Sequence, residues 1–509
     1  MNTLTAPHPF YLSTAAQSRR IDTDTIQKFG IDGYTLMEVA GSSAAKHLLN
    51  TIEAGARGLY FCGKGNNAGD ALVIARYLVQ YGIAATLVFI SGTDNLSRDA
   101  AKNLSLLLKI SDNDPGAAPV TLVENWSDFS QHLPADFIID GMLGTGLTSD
   151  LRSDYASAAG WINRSKLPVY AVDIPTGLHA DSGKVLGTAV QATETITFGM
   201  QKLGFYLSEG FSHTGSVVFC ELPFPNYLKS ECHTYLLDDS WVKPAPRQPA
   251  RHKYETGVLY LIAGSEGLTG AAILAARSAW AEGLGAVVLI CPRGILGTFE
   301  HSLPQIIKKP VGTREDFFFK PEHSEEALHI IREKPGKLLL GPGLGRNTDT
   351  VQFVESLANS FRGDMLIDAD GLWCLAQLRD WNKPREAEWI LTPHPGELSS
   401  LTGKSGADGE TRLHHTREYA RKNDITLLSK GFPSIVGTRQ GKCYLTRYDT
   451  RKFARAGFGD VLAGKIAAYW LLGNDAAASC ALGLLNGNKR IDLLIRGNPN
   501  HVAEPKDLI

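Results

Sequence analysis

Short apolar runs alternate along this chain with segments whose apolar residues recur at helical spacing. A Gly-rich or acidic turn ends most of the runs. Leu59–Cys62 leads into the small-residue stretch Gly63–Gly69, followed by Leu72, Ala75 and Val79 on one helical face. Phe137–Ile139 ends in Asp140-Gly-Met-Leu-Gly-Thr-Gly, and Val169–Val172 ends in Asp173-Ile-Pro-Thr-Gly. In the second half, Val258–Ala263 ends in Gly264-Ser265, before a helical stripe of Ile273, Ala276, Trp280 and Leu284. Lys337–Leu340 leads into Gly341-Pro-Gly-Leu-Gly345, Met365–Ile367 into Asp368-Ala-Asp370, and Ile390-Leu391 into Thr392-Pro-His-Pro-Gly-Glu397. Strands alternating with helices predict an α/β protein, with mostly parallel sheets covered by helices on both faces. Ligands of such sheets sit beyond the carboxyl ends of the strands. The polar clusters fall there in both halves.

At 509 residues the chain exceeds one ordinary domain of roughly 100–200 residues. Residues 238–257 carry Pro244, Pro246 and Pro249 among Arg247, Arg251 and Lys253, with no strand or helix period. That composition reads as a linker. It divides the chain into domains 1–242 and 243–509. A net charge of −2 gives no general attraction to nucleic acid or an anionic membrane, so a phosphate-bearing ligand needs local features to hold it. No apolar run reaches the length of about 18 residues that spans a bilayer. The first ten residues lack the pattern of a secretion signal. The 7 Cys include no CxxC pair, and Cys62 reads as a packed small residue. The expected compartment is the reducing cytoplasm.

Three features carry candidate chemistry in the first half. Gly63, Gly65 and Gly69 before a helix let a phosphate approach free N–H groups; the same stretch also fits a tight turn capped by Asn67 or Asp70. Asp140 and Asp173 each end a buried run, where an unpaired carboxylate is costly. Each therefore bonds to its own turn or faces a ligand or cation. In the second half, Ala456-Gly-Phe-Gly-Asp460 opens a helix. Its N–H groups suit anionic oxygens, and Asp460 is placed either to accept a proton from a hydroxyl attacking phosphorus or to cap the helix. His394 sits in a proline-stiffened turn, and Lys430 follows the strand Leu427–Ser429. Asp368 and Asp370 fit either a metal or a structural turn.

Asn66–Asp70 with Ala71–Arg76, then Asp140–Gly146, then Asp173–Gly177, resembles the NAD(P)H-hydrate epimerase domain over about residues 15–225. Leu36–Gly41, Thr195–Phe198 and Lys202 extend the likeness. The resemblance implies a Rossmann-like three-layer α/β/α domain. In it, Asn66, Asn67, Ala68, Gly69 and Asp70, with Gly144, Thr145, Gly146, Leu147, Thr148, Ser149 and Asp150, contact the hydrated dinucleotide. It also implies K+ held by Asn67, Asp140 and Thr176, and Asp173 as substrate contact and acid/base.

The motifs of the second half, over roughly residues 250–495, resemble the NAD(P)H-hydrate dehydratase domain of the ribokinase-like superfamily, again α/β/α. By that resemblance Asp460 is catalytic, and Ala271, Gly345, His394 and Asp460 meet the hydrated dinucleotide. Lys430, Gly431, Phe432, Pro433, Ser434 and Gly459 meet an adenine nucleotide, with ADP (or ATP) as phosphoryl donor and Mg2+ assisting. Together the halves imply repair of hydrated NADH and NADPH by an enzyme that self-associates. The second half alone also fits a ribokinase-like small-molecule kinase, and the whole fits a dinucleotide-binding scaffold.

The chain departs from both patterns. Asn-Asn-Ala68-Gly-Asp-Ala71 stands where the first family usually has Asn-Asn-Gly-Gly-Asp-Gly. If Ala68 adopts a left-handed conformation the strain is about 1–2 kcal/mol; if it need only be small, the cost is slight. Asp449-Thr-Arg451-Lys452-Phe-Ala-Arg455-Ala-Gly-Phe458-Gly-Asp460 replaces an Asn-Pro-Gly-Met stretch and Gly-Gly-Ser-Gly-Asp. This adds three cations and places a large ring in the anion-binding turn, so a weakened dehydratase is one expectation.

Overall fold

The computed structural model describes residues 4–246, 254–255, 257–383, 385–405 and 408–509. The linker residues Arg247, Pro249, Arg251 and Lys253 lie outside the described residues. Two compact units emerge, Pro7–His233 and Thr234–Ile509, the second including the described residues ahead of Pro7. Their division falls ahead of the expected boundary near 243.

The first unit carries a sheet of β1 (Arg57–Cys62), β2 (Ala84–Phe89), β3 (Val120–Val123), β4 (Phe137–Gly141), β5 (Val169–Val172), β6 (Glu194–Phe198) and β7 (Ser216–Cys220). The order is β3-β2-β1-β4-β5-β6-β7, parallel throughout. Side chains alternate along β1: Tyr60 and Cys62 enter one core, Leu59 and Phe61 the other. Helices α1 (Gly33–Leu48), α2 (Asn66–Leu78) and α3 (Arg98–Asn113) cover the first face, and α4 (Ser153–Ser165) the second. That completes the expected three layers. Strand order reverses between β1 and β4, which opens a crevice at their carboxyl ends. The turns holding Asn67 and Asp140 flank it. Another parallel pair joins Tyr11–Ser13 to Gln201–Lys202, with Ser13 opposite Lys202.

The second unit contains β8 (Thr234–Leu237), β9 (Val258–Ile262), β10 (Val287–Pro292), β11 (Ile307–Val311), β12 (Gly336–Leu340), β13 (Met365–Ile367), β14 (Trp389–Leu391), β15 (Thr426–Ser429), β16 (Ile435–Gly437) and β17 (Cys443–Thr446). Their order is β11-β10-β9-β12-β13-β14-β15-β16-β17-β8. It is parallel except for the antiparallel run β15-β16-β17. Because β8 lies in register along β17, from Thr234↔Cys443 to Leu237↔Thr446, it belongs to this unit. Helices α5 (Thr269–Ala281), α6 (Asp370–Gln377), α7 (Pro395–Thr402), α8 (Gly409–Lys422), α9 (Phe458–Leu471) and α10 (Ala476–Gly497) complete the parts used below.

Among the described residues no helix is long and apolar enough to cross a membrane. All seven cysteines are free and buried. Burial pushes the Cys62 thiol up to about 12, which leaves it an inert packing group.

Candidate functional sites

In the first unit β4 delivers Asp140, fully buried, to the crevice. Its carboxylate accepts from Thr176 N at 2.8 Å, Thr176 Oγ1 at 2.7 Å and Met142 N at 3.3 Å. Burial pushes its pKa up to about 6 against the pull of those bonds. Asn67, the second residue of α2, borders the same place: a Cβ on Gly141 would stand 3.2 Å from its carbonyl oxygen, and one on Gly144 would stand 3.6 Å from its Cβ. Both polar atoms of the Asn67 side chain are buried without a hydrogen-bond partner. A buried amide left unpaired is expensive, and such a group suits a polar or cationic ligand. The oxygens of Asn67, Asp140 and Thr176 suit a hard cation such as K+.

Asp173, at the end of β5, has φ 64, a conformation uncommon for a residue with a side chain. Its Oδ1 pairs with the Lys202 ammonium and lies 3.3 Å from Thr197 Oγ1. Lys202 is buried and also donates to Thr197 Oγ1 at 2.8 Å and Met200 O at 3.0 Å. Asp70, half-buried on α2, stands in the field of this pair. Burial, then Asp173 and Asp22, push its pKa well up, with Lys202 opposing.

The remaining expected residues divide by environment. Asn66 is exposed at the helix start, and the loop Gly144–Asp150 runs half-buried to exposed after β4. Ala68 is wholly buried in the core, and a Cβ on Gly69 would stand 2.6 Å from Met37 Cε. Those two residues therefore have only backbone to offer a ligand. Ala68 lies within α2, and its φ is not positive. The smaller of the two expected costs applies.

In the second unit a cavity of about 550 Å³ opens at the carboxyl ends of the strands, lined by Asp368, His394, Lys430, Phe432, Gly459 and Asp460 among others. Lys430 Nζ donates to Asp368 Oδ1 at 2.7 Å, and Thr392 Oγ1 donates to the same oxygen at 2.8 Å. Asp368 Oδ2 is buried without a partner. A Cβ on Gly459 would stand 3.5 Å from Lys430 Nζ, so the ammonium faces the first turn of α9. Asp460 projects from that turn. Burial first and Asp368 second raise its pKa to about 7, with Lys430 opposing. Burial alone would lower the pKa of Lys430, but Asp368, Glu397 and Asp460 outweigh it and the net shift is upward.

His394 is both a turn histidine and a cavity group. It caps α7, its Nδ1 accepting from Gly396 N at 3.0 Å and Glu397 N at 3.3 Å. That leaves Nε2–H as the available donor, 3.3 Å from Glu397 Oε1. Burial and then Lys430 lower the His394 pKa, which favours the neutral ring. Burial lifts Glu397 to about 7.

Asp370 turns out to be structural. Its carboxylate accepts from Gly345 N at 3.0 Å and Arg346 Nε at 2.7 Å, fixing the Gly341–Gly345 loop. Gly343, with φ 66, lies where a Cβ would stand 2.3 Å from Leu268 O and 3.3 Å from Ala271 Cβ, so Ala271 and this loop share one wall. Arg412, which the motifs did not single out, braces the Lys430–Ser434 turn by donating to Ser429 O, Lys430 O and Pro433 O. Gly431 (φ 142) is required there, because a Cβ would stand 2.7 Å from Arg412 Nη1.

The unusual 449–458 segment is accommodated. Phe458 is 4% exposed and packs with Phe453, Val461 and Ile491 in a satellite core. Arg451 pairs with Asp449 at 2.7 Å, Lys452 pairs with Asp492, and Arg455 donates to Ala503 O at 3.0 Å. Each of the three added cations thus has a partner, and Arg451, Arg455 and Phe458 also line the cavity.

Comparison with known proteins agrees with both halves. Residues 33–204 match the family described as YjeF-related protein N-terminus, and residues 259–488 match NAD(P)H-hydrate dehydratase. The bifunctional NAD(P)H-hydrate repair enzyme of Salinibacter ruber is 36% identical, covering 92% of this chain and 90% of that protein. That of Moorella thermoacetica is 33% identical, covering 93% and 90%, and that of Escherichia coli 29%, covering 94% and 88%. The ADP/ATP-dependent NAD(P)H-hydrate dehydratase of Bacillus subtilis, co-crystallized with ATP/Mg2+, superposes with a TM-score of 0.45 at 24% identity, over 52% of this chain and 91% of that one. On the relatives aligned over nearly their whole length, the chain belongs to the family of bifunctional NAD(P)H-hydrate repair enzymes.

Proposed function

We propose that the first unit interconverts the R and S hydrates of NADH and NADPH. The second unit then dehydrates the S-hydrate at the expense of ADP or ATP, releasing AMP or ADP and phosphate. The observation that carries this reading is Asp460, lifted to about 7 at the helix start that Lys430 faces. It is placed to take a proton from a hydroxyl that attacks a terminal phosphoryl group. The N–H groups of Gly459 and its neighbours, with Lys430, stabilise charge gathering on the phosphoryl oxygens. Phosphate then departs from the ring carbon, a proton leaves the adjacent carbon, and the ring double bond returns. Ala271, Gly345 and His394 orient the hydrate, and Lys430–Ser434 hold the nucleotide. Mg2+, when bound, neutralises phosphate charge, and the unpartnered Asp368 Oδ2 is the oxygen that fits it.

In the first unit Asp173 and Asp70 form the acid/base pair. One protonates the departing hydroxyl while the other takes a proton from water arriving on the opposite face. Asn67, Asp140 and Thr176 would hold K+, which supplies positive charge beside the crevice. The test is the near-ultraviolet absorbance of restored dihydronicotinamide, with a mixed pool of hydrate epimers, K+, Mg2+ and either nucleotide. Full recovery faster than spontaneous epimerisation supports both units. Recovery of one epimer alone removes the epimerase reading, and no recovery removes the dehydratase reading.

A further inference from the structure

Phe317-Phe318-Phe319 follows β11, and the structure sends the three rings different ways. Phe319 is wholly buried and stacks on Phe353 with ring centroids 4.6 Å apart. Phe317 turns towards Gly294, where a Cβ would stand 2.9 Å from its Cδ1. Phe318 lies beside Gly345, where a Cβ would stand 3.6 Å from Phe318 Cδ1. Phe318 is nevertheless 38% exposed, and Leu268, 44% exposed, borders Gly343 at the other end of the same turn. Contiguous apolar surface left open beside a binding wall marks a place where a ligand lies.

The backbone beside that ring is pinned. Asp316 O accepts from Gly294 N at 2.9 Å, Phe317 O accepts from Glu266 N at 3.1 Å, and the Asp316 carboxylate accepts from Thr313 N at 2.7 Å. Ser265 Oγ donates to Gly343 O at 2.9 Å and fixes the facing turn. An aromatic face set in advance loses little freedom on binding. Its position selects which end of the dinucleotide reaches it. The hydroxyl-bearing ring must stand at Asp460 to react. A Cβ on Gly457, three residues before Asp460, would stand 2.8 Å from Leu274 Cδ1, and Leu274 follows Ala271 by one turn of α5. The wall continues from Ala271 to Gly343, then to Gly345 and Phe318. Phe318 therefore lies at the end away from the reacting ring. That ring, once hydrated, has saturated carbons and no flat face to stack. The adenine at the other end of the dinucleotide is flat and aromatic.

We propose that Phe318 is a specificity-determining residue of the second unit, its ring stacking on the adenine of the hydrated dinucleotide, with Leu268 bordering the same base. The proposal rests on the dehydratase reading of this unit. A stacked base leaves its ribose hydroxyls free, so the hydrates of NADH and NADPH gain alike. Stacking far from the reacting ring is the same before and during the reaction, so its effect falls on KM and not on kcat.

The test uses the full chain with saturating ADP and Mg2+. It compares dehydration of the S-hydrate of NADH with that of the S-hydrate of reduced nicotinamide mononucleotide, which lacks the adenylate half. The parent should show a KM for the mononucleotide hydrate about tenfold or more above that for the dinucleotide hydrate. Phe318→Ala should bring the two KM values within about threefold of each other, with the KM for ADP unchanged. Phe318→Trp should keep the parent's difference. A parent without that difference overturns the proposal. So does a Phe318→Ala enzyme that retains it, including one weakened equally on both substrates, because a role in packing the fold or a second copy of this chain gives that result. A rise in the KM for ADP instead assigns the ring to the phosphoryl donor and also overturns it. A parent that dehydrates neither hydrate overturns the dehydratase reading, and this proposal with it.

Discussion

Lys430 Nζ lies 2.7 Å from Asp368 Oδ1, joining the turn after β15 to the end of β13 below the first turn of α9. Asp368 is 1% exposed on its side chain, so the carboxylate depends on that partner.

Lys430→Met leaves this carboxylate buried with only Thr392 as donor. Breaking a buried pair costs about 3–5 kcal/mol. The variant should lose that stability in denaturant titration along with its dehydratase activity. Adding Asp368→Asn should restore most of the stability and none of the activity. Equal stability of the single and double variants would show that the pair is not coupled.

Asp460 must be ionised to accept a proton. With its pKa at about 7, dehydratase kcat/KM should rise with pH through 7 and flatten above it. The stability sign is opposite. The folded state binds protons more tightly than the unfolded chain, so between pH 4 and 7 its stability falls as pH rises. Asp460→Asn should remove this group's part of that fall and slow turnover by about 10²–10⁴-fold. A flat rate profile across pH 6–8 would reject Asp460 as the base.

Phe458 supports a satellite core, so returning a small residue there should not improve catalysis. Phe458→Ala is expected to cost about 3 kcal/mol, with no gain in kcat. Ala68→Gly, placed inside α2, should cost about 1 kcal/mol and leave epimerisation unchanged. A faster enzyme from either change would mean that these residues obstruct the chemistry.

The Asn67 amide is buried with no protein group bonded to it. Exchanging K+ for tetramethylammonium should slow epimerisation and lower the melting transition of the first unit. Asn67→Ala should abolish the K+ response while leaving K+-free stability unchanged or higher by about 1 kcal/mol. Calorimetry with and without K+ decides this.

Much of the architecture was legible because strands and helices differ in period. The apolar runs ending in Asp140, Asp173, Gly341 and Asp368 are strands in the structure, each with its polar residues at the carboxyl end. Other points could not be read locally. Asp368 and Asp370 looked equivalent, yet one faces the cavity pair and the other holds a loop. Tyr235-Leu236-Leu237 is short enough to extend either domain, and only its ladder with residues 443–446 assigns it.

Periodicity, turn residues and motif order are properties of neighbours along the chain, so the sequence by itself determined two α/β halves and their order, and put Asp173 and Asp460 at the strand and helix ends where ligands bind. Burial and charge pairing are properties of neighbours in space. Only the tertiary structure paired Asp173 with Lys202, lifted Asp460 to about 7, and turned Phe458 into a core. Each of those outcomes depends on desolvation and distances between segments far apart in the chain.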